Sequence, residues 1–201
     1  MTFLAVMTSM NVAEICGLKW KRINLSEEPI IMDDELLPAF HAGVREQWYK
    51  RQWGTVKAHA RRRYVLLPKW AAEELRELRQ RREWVGPEDP VFAGRSGKPV
   101  CENALVQRHL KPAGKKLGMP WLSWHDLRRT FATLADQENI SIGERKALMG
   151  HGRAEMTLHY TQVPSQRVSE VLERLSDKII TAARLKSGKK KVVPMKTAAA
   201  G

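Results

Sequence analysis

Five side chains of this sequence are of types that suit phosphate chemistry, and they fall in four separated pieces. His125 and Arg128 lie in Trp124-His125-Asp126-Leu127-Arg128-Arg129-Thr130-Phe131, and His151 closes Leu148-Met149-Gly150-His151. Tyr160 ends Thr157-Leu158-His159-Tyr160, nine residues after His151. Upstream, Val56-Lys57 leads through Arg61-Arg62-Arg63 to Val65-Leu66-Leu67-Pro68. A phenol oxygen can attack phosphorus and stay bonded to it, a guanidinium fork matches two phosphate oxygens, and imidazole and ammonium groups move protons. Each residue alone has a plainer reading. A lone tyrosine is usually a half-buried aromatic, a histidine after glycine can cap a helix, and one lysine in a basic loop is usually solvated. A His-x-x-Arg match arises by chance at about one position in 400. The weight rests on the order and spacing of all four pieces together.

In that order the pieces resemble the conserved boxes of tyrosine recombinases and phage integrases, over approximately residues 3 to 163. The resemblance implies an α+β, mainly helical catalytic domain with a small three-stranded antiparallel sheet. It implies Tyr160 as the nucleophile, forming a 3′-phosphotyrosyl link and freeing a 5′-hydroxyl, a step reversed by a hydroxyl from a partner strand. Arg128 would grip the phosphate, Lys57 would protonate the departing 5′-oxygen, His125 would act as general acid/base, and His151 would donate a hydrogen bond to the phosphate. Arg61, Arg62, Arg63 and Arg129 are expected to contact DNA. The chemistry requires no metal and no cofactor. The implied partner is double-stranded DNA, bound by a homo-oligomer, a tetramer, that is monomeric when free. Complete relatives carry an N-terminal core-binding domain, which is expected to be absent here.

One box departs from the family. The pattern Thr-Gly-x-Arg, a Glu further on and then Leu-x-Trp is met by Thr8-Ser9-Met10-Asn11, Glu14 and Leu18-Lys19-Trp20, so Asn11 stands where the first catalytic arginine belongs. Asparagine is neutral and shorter, and losing one preorganised donor from such a transition state costs on the order of a hundred- to a thousandfold in rate. A compensating cation would have to come from Lys19, Lys21 or Arg22. The leading expectation is an impaired site-specific recombinase; the alternatives are a catalytically silent DNA-binding relic and a type IB topoisomerase.

These residues need a scaffold, and composition supports one. The chain has 201 residues, 43% hydrophobic, enough for a single core, so residues 1–186 read as one domain. Lysine and arginine number 35 against 22 acids, a net charge of +13. Five lysines from Lys186 onward meet no acid, which leaves 13 − 5 = +8 on the body. A polyanion is the partner this charge suits. Residues 187–201 are expected to be a disordered tail. Cys16 and Cys101 have no metal-type spacing and read as reduced. There is neither a long apolar run nor the basic start of a secretory signal, so the expected location is cytoplasmic.

Periodicity places helices at residues 2–18 with a break near Ser9–Asn11, at 69 onward to a stop at Gly86-Pro87, and at 103–117, 126–137, 142–149 and 165–185. Strands are expected at 29–32, 44–49 and 64–67, with 50–63 as an exposed hairpin tip and Trp53 as the most exposed tryptophan.

Overall fold

The computed structural model of the chain describes residues 1–56, 62–149 and 166–186. Apolar side chains three and four apart wind the start into α1 (Thr2–Thr8), and Asn11 caps α2 (Val12–Cys16), with the expected break between them. A 3₁₀ turn, Trp20–Arg22, leads into seven short strands among the described residues: β1 (Ile23–Asn24), β2 (Ile30–Met32), β3 (Glu35–Leu37), β4 (His41–Val44), β5 (Glu46–Tyr49), β6 (Gln52–Thr55) and β7 (Arg63–Leu66). A three-stranded antiparallel sheet forms in the order β1-β4-β7, as expected, but from partly different segments. Residues 30–32 pair instead with β3 in a separate hairpin, and Glu46–Tyr49 pairs with Gln52–Thr55 in another.

The central strand was illegible because its His-Ala-Gly-Val carries little β-propensity; its place between β1 and β7 decides it. The second hairpin closes on Lys50 and Arg51, both with positive φ (50° and 62°), the two-residue turn whose twist suits a hairpin. The tip expected over 50–63 is therefore a paired strand for its first part. Gly17 lets this hairpin lie on the end of α2: a Cβ there would sit 2.6 Å from the Gln47 Cα.

The remaining described helices are α3 (Lys69–Gln80), α4 (Glu102–Leu105), α5 (Lys111–Lys116), α6 (Trp124–Gln137), α7 (Ile142–Met149) and α8 (Gln166–Lys186). α3 stops six residues before Gly86. A π-helical turn, Val106–Leu110, separates α4 from α5 where one helix was expected. Pro112 accounts for it, since proline cannot donate to the preceding turn and its ring pushes the carbonyl four residues back. Trp121 is 62% exposed against 41% for Trp53, so the expectation for Trp53 is corrected: Trp121 sits in the short connection before α6.

Two apolar clusters hold the domain, and β7 divides them. Val65 and Leu67 face Leu4, Ile15, Trp20 and Leu75, while Leu66, on the opposite face, joins Met7, Phe131 and the α8 residues Val168, Val171, Leu172 and Leu175. The α8 helix is thereby seated on α1 and α6 of the same chain, and its Glu173 accepts the Lys69 backbone N–H at 2.9 Å. No helix among the described residues is long and apolar enough to cross a membrane. Cys16 and Cys101 are free thiols, and burial first, then Glu102 and Cys101, pushes the Cys16 thiol up to about 12.

His41 lies in the sheet, 1% exposed, with Nδ1 donating to the Ala39 carbonyl at 2.7 Å and Nε2 without a partner among the described residues. Burial lowers its pKa, outweighing the Ala39 bond. The unfolded chain therefore takes up this proton first as pH falls below ~6.5, and stability is lost from there down through the folded value. Urea titrations from pH 8 to 5 should show this loss, and His41→Gln should flatten it.

Candidate active site

The α1–α2 elbow, α6 and the end of α7 meet at one guanidinium. Arg128 projects from the second turn of α6 and donates through Nη1 to the Ser9 carbonyl and through Nη2 to the Met149 carbonyl. The second of these is a last-turn carbonyl of α7, which has no partner within its own helix and favours a cation. Two carbonyls from distant parts of the chain thus fix the plane of the fork.

The α6 helix starts at a capping box. Ser123 Oγ accepts the Asp126 N–H at 3.3 Å and Asp126 Oδ2 accepts the Ser123 N–H at 2.9 Å. The Ser123 hydroxyl holds the Asp126 carboxyl below its usual range. His125, exposed in the first turn, lies three residues before Arg128 and so on the same face, while Arg129 is exposed and turned away.

Asn11 has a different task from a phosphate ligand. Its Oδ1 accepts the Glu14 N–H at 2.8 Å, and Glu14 Oε2 accepts the Asn11 N–H at 3.0 Å, a reciprocal cap for α2. Glu14 is 2% exposed and pairs with Arg63, whose Nη2 lies 3.1 Å from Oε2 and whose Nη1 donates to Oε1 at 3.3 Å. Arg63 Nε also donates to the Leu148 carbonyl at 3.2 Å. Arg63 and Arg128 therefore grip neighbouring carbonyls at the end of α7, three and two residues short of His151 respectively.

The structure thus ties Arg128 to the Ser9–Asn11 elbow, with His125 on the same face of α6. Lys57, Arg61, His151 and Tyr160 lie outside the described residues. Arg62 is exposed beside β7. The expected DNA contact at Arg63 is corrected: it is 5% exposed, because the inward face of β7 and the buried Glu14 carboxylate draw it into the core. The pairing of Glu14 with Arg63 beside these residues was not read from the sequence. The signal for the acid was its place in the first box; the arginine was hidden in a run of three.

All three suggested replacement cations are paired with acids. Lys19 Nζ sits 3.0 Å from Glu46 and 3.2 Å from Glu88, Lys21 lies 3.1 Å from Asp33 and 2.5 Å from Glu88, and Arg22 pairs with Asp33 at 2.8 Å and Glu35 at 2.7 Å.

The phage integrase family profile matches residues 1–167. The chain belongs to the phage integrase family. It is 30% identical to the integrase of Mycobacterium phage L5 over 178 residues, 87% of this chain and 46% of that one. It is 26% identical to tyrosine recombinase XerA of Pyrococcus furiosus over 169 residues, 83% of this chain and 50% of the relative. The chain thus spans about half the length of these relatives. Among solved structures it shares its fold with the Tn1549 transposon integrase in complex with a circular intermediate DNA (TM-score 0.58, 19% identity, 87% of this chain and 57% of that one) and with XerA recombinase (TM-score 0.54, 17% identity, 94% and 57%).

Within this integrase-family chain, Ser9 holds a place the family pattern gives to glycine. Its φ is 53°, it is fully buried, and its hydroxyl has no hydrogen-bond partner among the described residues. A left-handed L-residue costs roughly 1–2 kcal/mol and a buried unpaired hydroxyl adds to that. Ser9→Gly is expected to stabilise the domain by about 1–2 kcal/mol, seen as a higher urea midpoint at unchanged slope.

Proposed function

We propose that this chain is the catalytic part of a site-specific DNA recombinase that cuts and rejoins double-stranded DNA through a phosphotyrosine at Tyr160, slowed because Asn11 replaces the first arginine. The observation that carries the reading is Arg128 held between the first-box elbow and the end of α7, with His125 on the same face of α6. Three of the five family segments, the first box, the His-x-x-Arg box and the start of Leu148-Met149-Gly150-His151, meet there. A backbone phosphate placed at this junction would face a cationic fork whose orientation is set before the substrate arrives, the arrangement that lowers the barrier to phosphoryl transfer. In this reading Tyr160 attacks, Lys57 protonates the departing 5′-oxygen, His125 exchanges the tyrosine proton, and His151 donates to the phosphate. Arg62 and Arg129, both exposed, and Arg61 contact the DNA backbone, and the active assembly is a tetramer on DNA.

The test is a nicked suicide duplex that traps the covalent step. A DNA adduct should form slowly, map to the peptide containing Tyr160, and vanish in Tyr160→Phe. The second reading, a silent DNA-binding relic, is favoured by one fact: the side chain of Asn11 is engaged by the α2 cap and the candidate replacement cations are engaged by acids. An adduct that stays absent even in Asn11→Arg would select it.

A further inference from the structure

Two compartments form one trough beside Asn11. The larger, about 680 Å³, is lined by Asn11, Gln47, Tyr49, Glu102, Asn103 and Val106. The smaller, about 310 Å³, continues from Glu102 and Asn103 to Trp48, Lys50 and Arg51 at the β5–β6 turn. Its chemistry is mixed in a particular way. Three carboxamides offer paired donors and acceptors, Tyr49 presents a half-exposed ring with the Lys50 ammonium 5.4 Å from its centroid, and Lys50 and Arg51 bring two exposed cations that form no ion pair among the described residues. Glu102, shared by both compartments, has a shielded Oε2 with no hydrogen-bond partner among the described residues. Burial raises its pKa, opposed by the Lys50 main-chain N–H and the Lys50 charge, and the unpaired oxygen gains from a further N–H donor that reaches it.

The turn itself supports a binding role. Lys50 and Arg51 both hold left-handed backbone, a conformation that Asn-Gly adopts at less cost. Strain kept at two cationic residues beside a trough is the kind that persists where side chains have work to do.

We propose that this trough holds one unpaired nucleotide of the strand released by cleavage, its base stacked on Tyr49, an exocyclic amino group donating to Glu102, and its phosphate met by Lys50 and Arg51. Amide and carboxylate groups read base edges, aromatic rings take base faces, and cations track the backbone. Cytosine fits, since its N4 amino group donates to a carboxylate, whereas thymine presents an oxygen at that position. The inference rests on the recombinase reading and gives it a place to keep a freed strand from re-annealing.

The experiment follows tryptophan fluorescence, to which Trp48 and Trp53 in the hairpin contribute, as single-stranded oligo-dC or oligo-dT of about a dozen nucleotides is added. Oligo-dC is expected to bind about tenfold more tightly than oligo-dT. Glu102→Met should abolish that preference, and Tyr49→Ala should weaken both by about tenfold. The pair Lys50→Asn with Arg51→Gly should also weaken both while raising the unfolding temperature, which separates lost binding from lost folding. Equal binding of the two oligonucleotides, unchanged in Glu102→Met and Tyr49→Ala, would overturn the proposal. Duplex binding measured alongside separates the two levels: if the duplex binds and the oligonucleotide effects fail, only the trough is wrong, whereas no duplex binding removes the recombinase reading as well.

Discussion

Asn11→Arg is expected to raise the single-turnover rate of covalent capture on a suicide duplex by about a hundred- to a thousandfold, the worth of one preorganised donor to a charged transition state. The same change should lower stability by about 1 kcal/mol, because arginine cannot supply the Oδ1 that caps α2 through the Glu14 N–H. The two effects have opposite signs and separate readouts, quench-flow for the first and urea unfolding for the second. A control isolates the cap: Asn11→Asp retains the cap while adding negative charge next to the candidate phosphate position, so it should hold its stability and capture no faster than the unaltered chain. A gain in rate with Asp would mean that charge at position 11 is not what limits the reaction.

Arg63→Met is expected to cost about 3–5 kcal/mol, since it strands the Glu14 carboxylate, 2% exposed, without its cation. That is a large share of the ~5–15 kcal/mol by which a domain is stable. Adding Glu14→Leu should return most of the loss, because a buried ion pair replaced whole by apolar groups is often neutral or better. Capture should not return with it. The Leu148 carbonyl would still lack its Arg63 donor, and of these two guanidinium bonds to the end of α7, from which the chain runs on to His151, the Arg128 bond would remain. Stability recovered without rate, read by thermal unfolding and by capture on the same samples, is the signature of a positioning residue. Recovery of both would reduce the ion pair to a purely structural feature.

How much of this was legible in the sequence depended on whether the cause was local. The elbow at Ser9–Asn11, α7 to the residue, and the starts of α3 and α6 within two positions followed from caps, breakers and helical spacing. The sheet was legible in number and sense but not in membership. His41–Val44 is a central strand because β1 and β7 flank it, and nothing within four residues of it says so. The same limit hid Arg63. In a run of three arginines the one facing inward is chosen by strand parity and by an acid 49 residues away, a pairing only the fold provides. At the site, Arg128 and His125 were readable from their box. What Asn11 does was not, because a cap depends on backbone geometry that the family comparison treats as an arginine's place.

The most direct test of the account is a crystal structure of Asn11→Arg combined with Tyr160→Phe, bound to an uncut duplex so that the scissile phosphate is held unreacted. The phosphate oxygens should lie about 2.7–3.1 Å from the Arg128 guanidinium, with the His125 ring beside them and the residue-160 ring aimed at phosphorus in line with the 5′-oxygen. DNA seated on another face of the domain, with the phosphate beyond hydrogen-bond reach of Arg128, would contradict it.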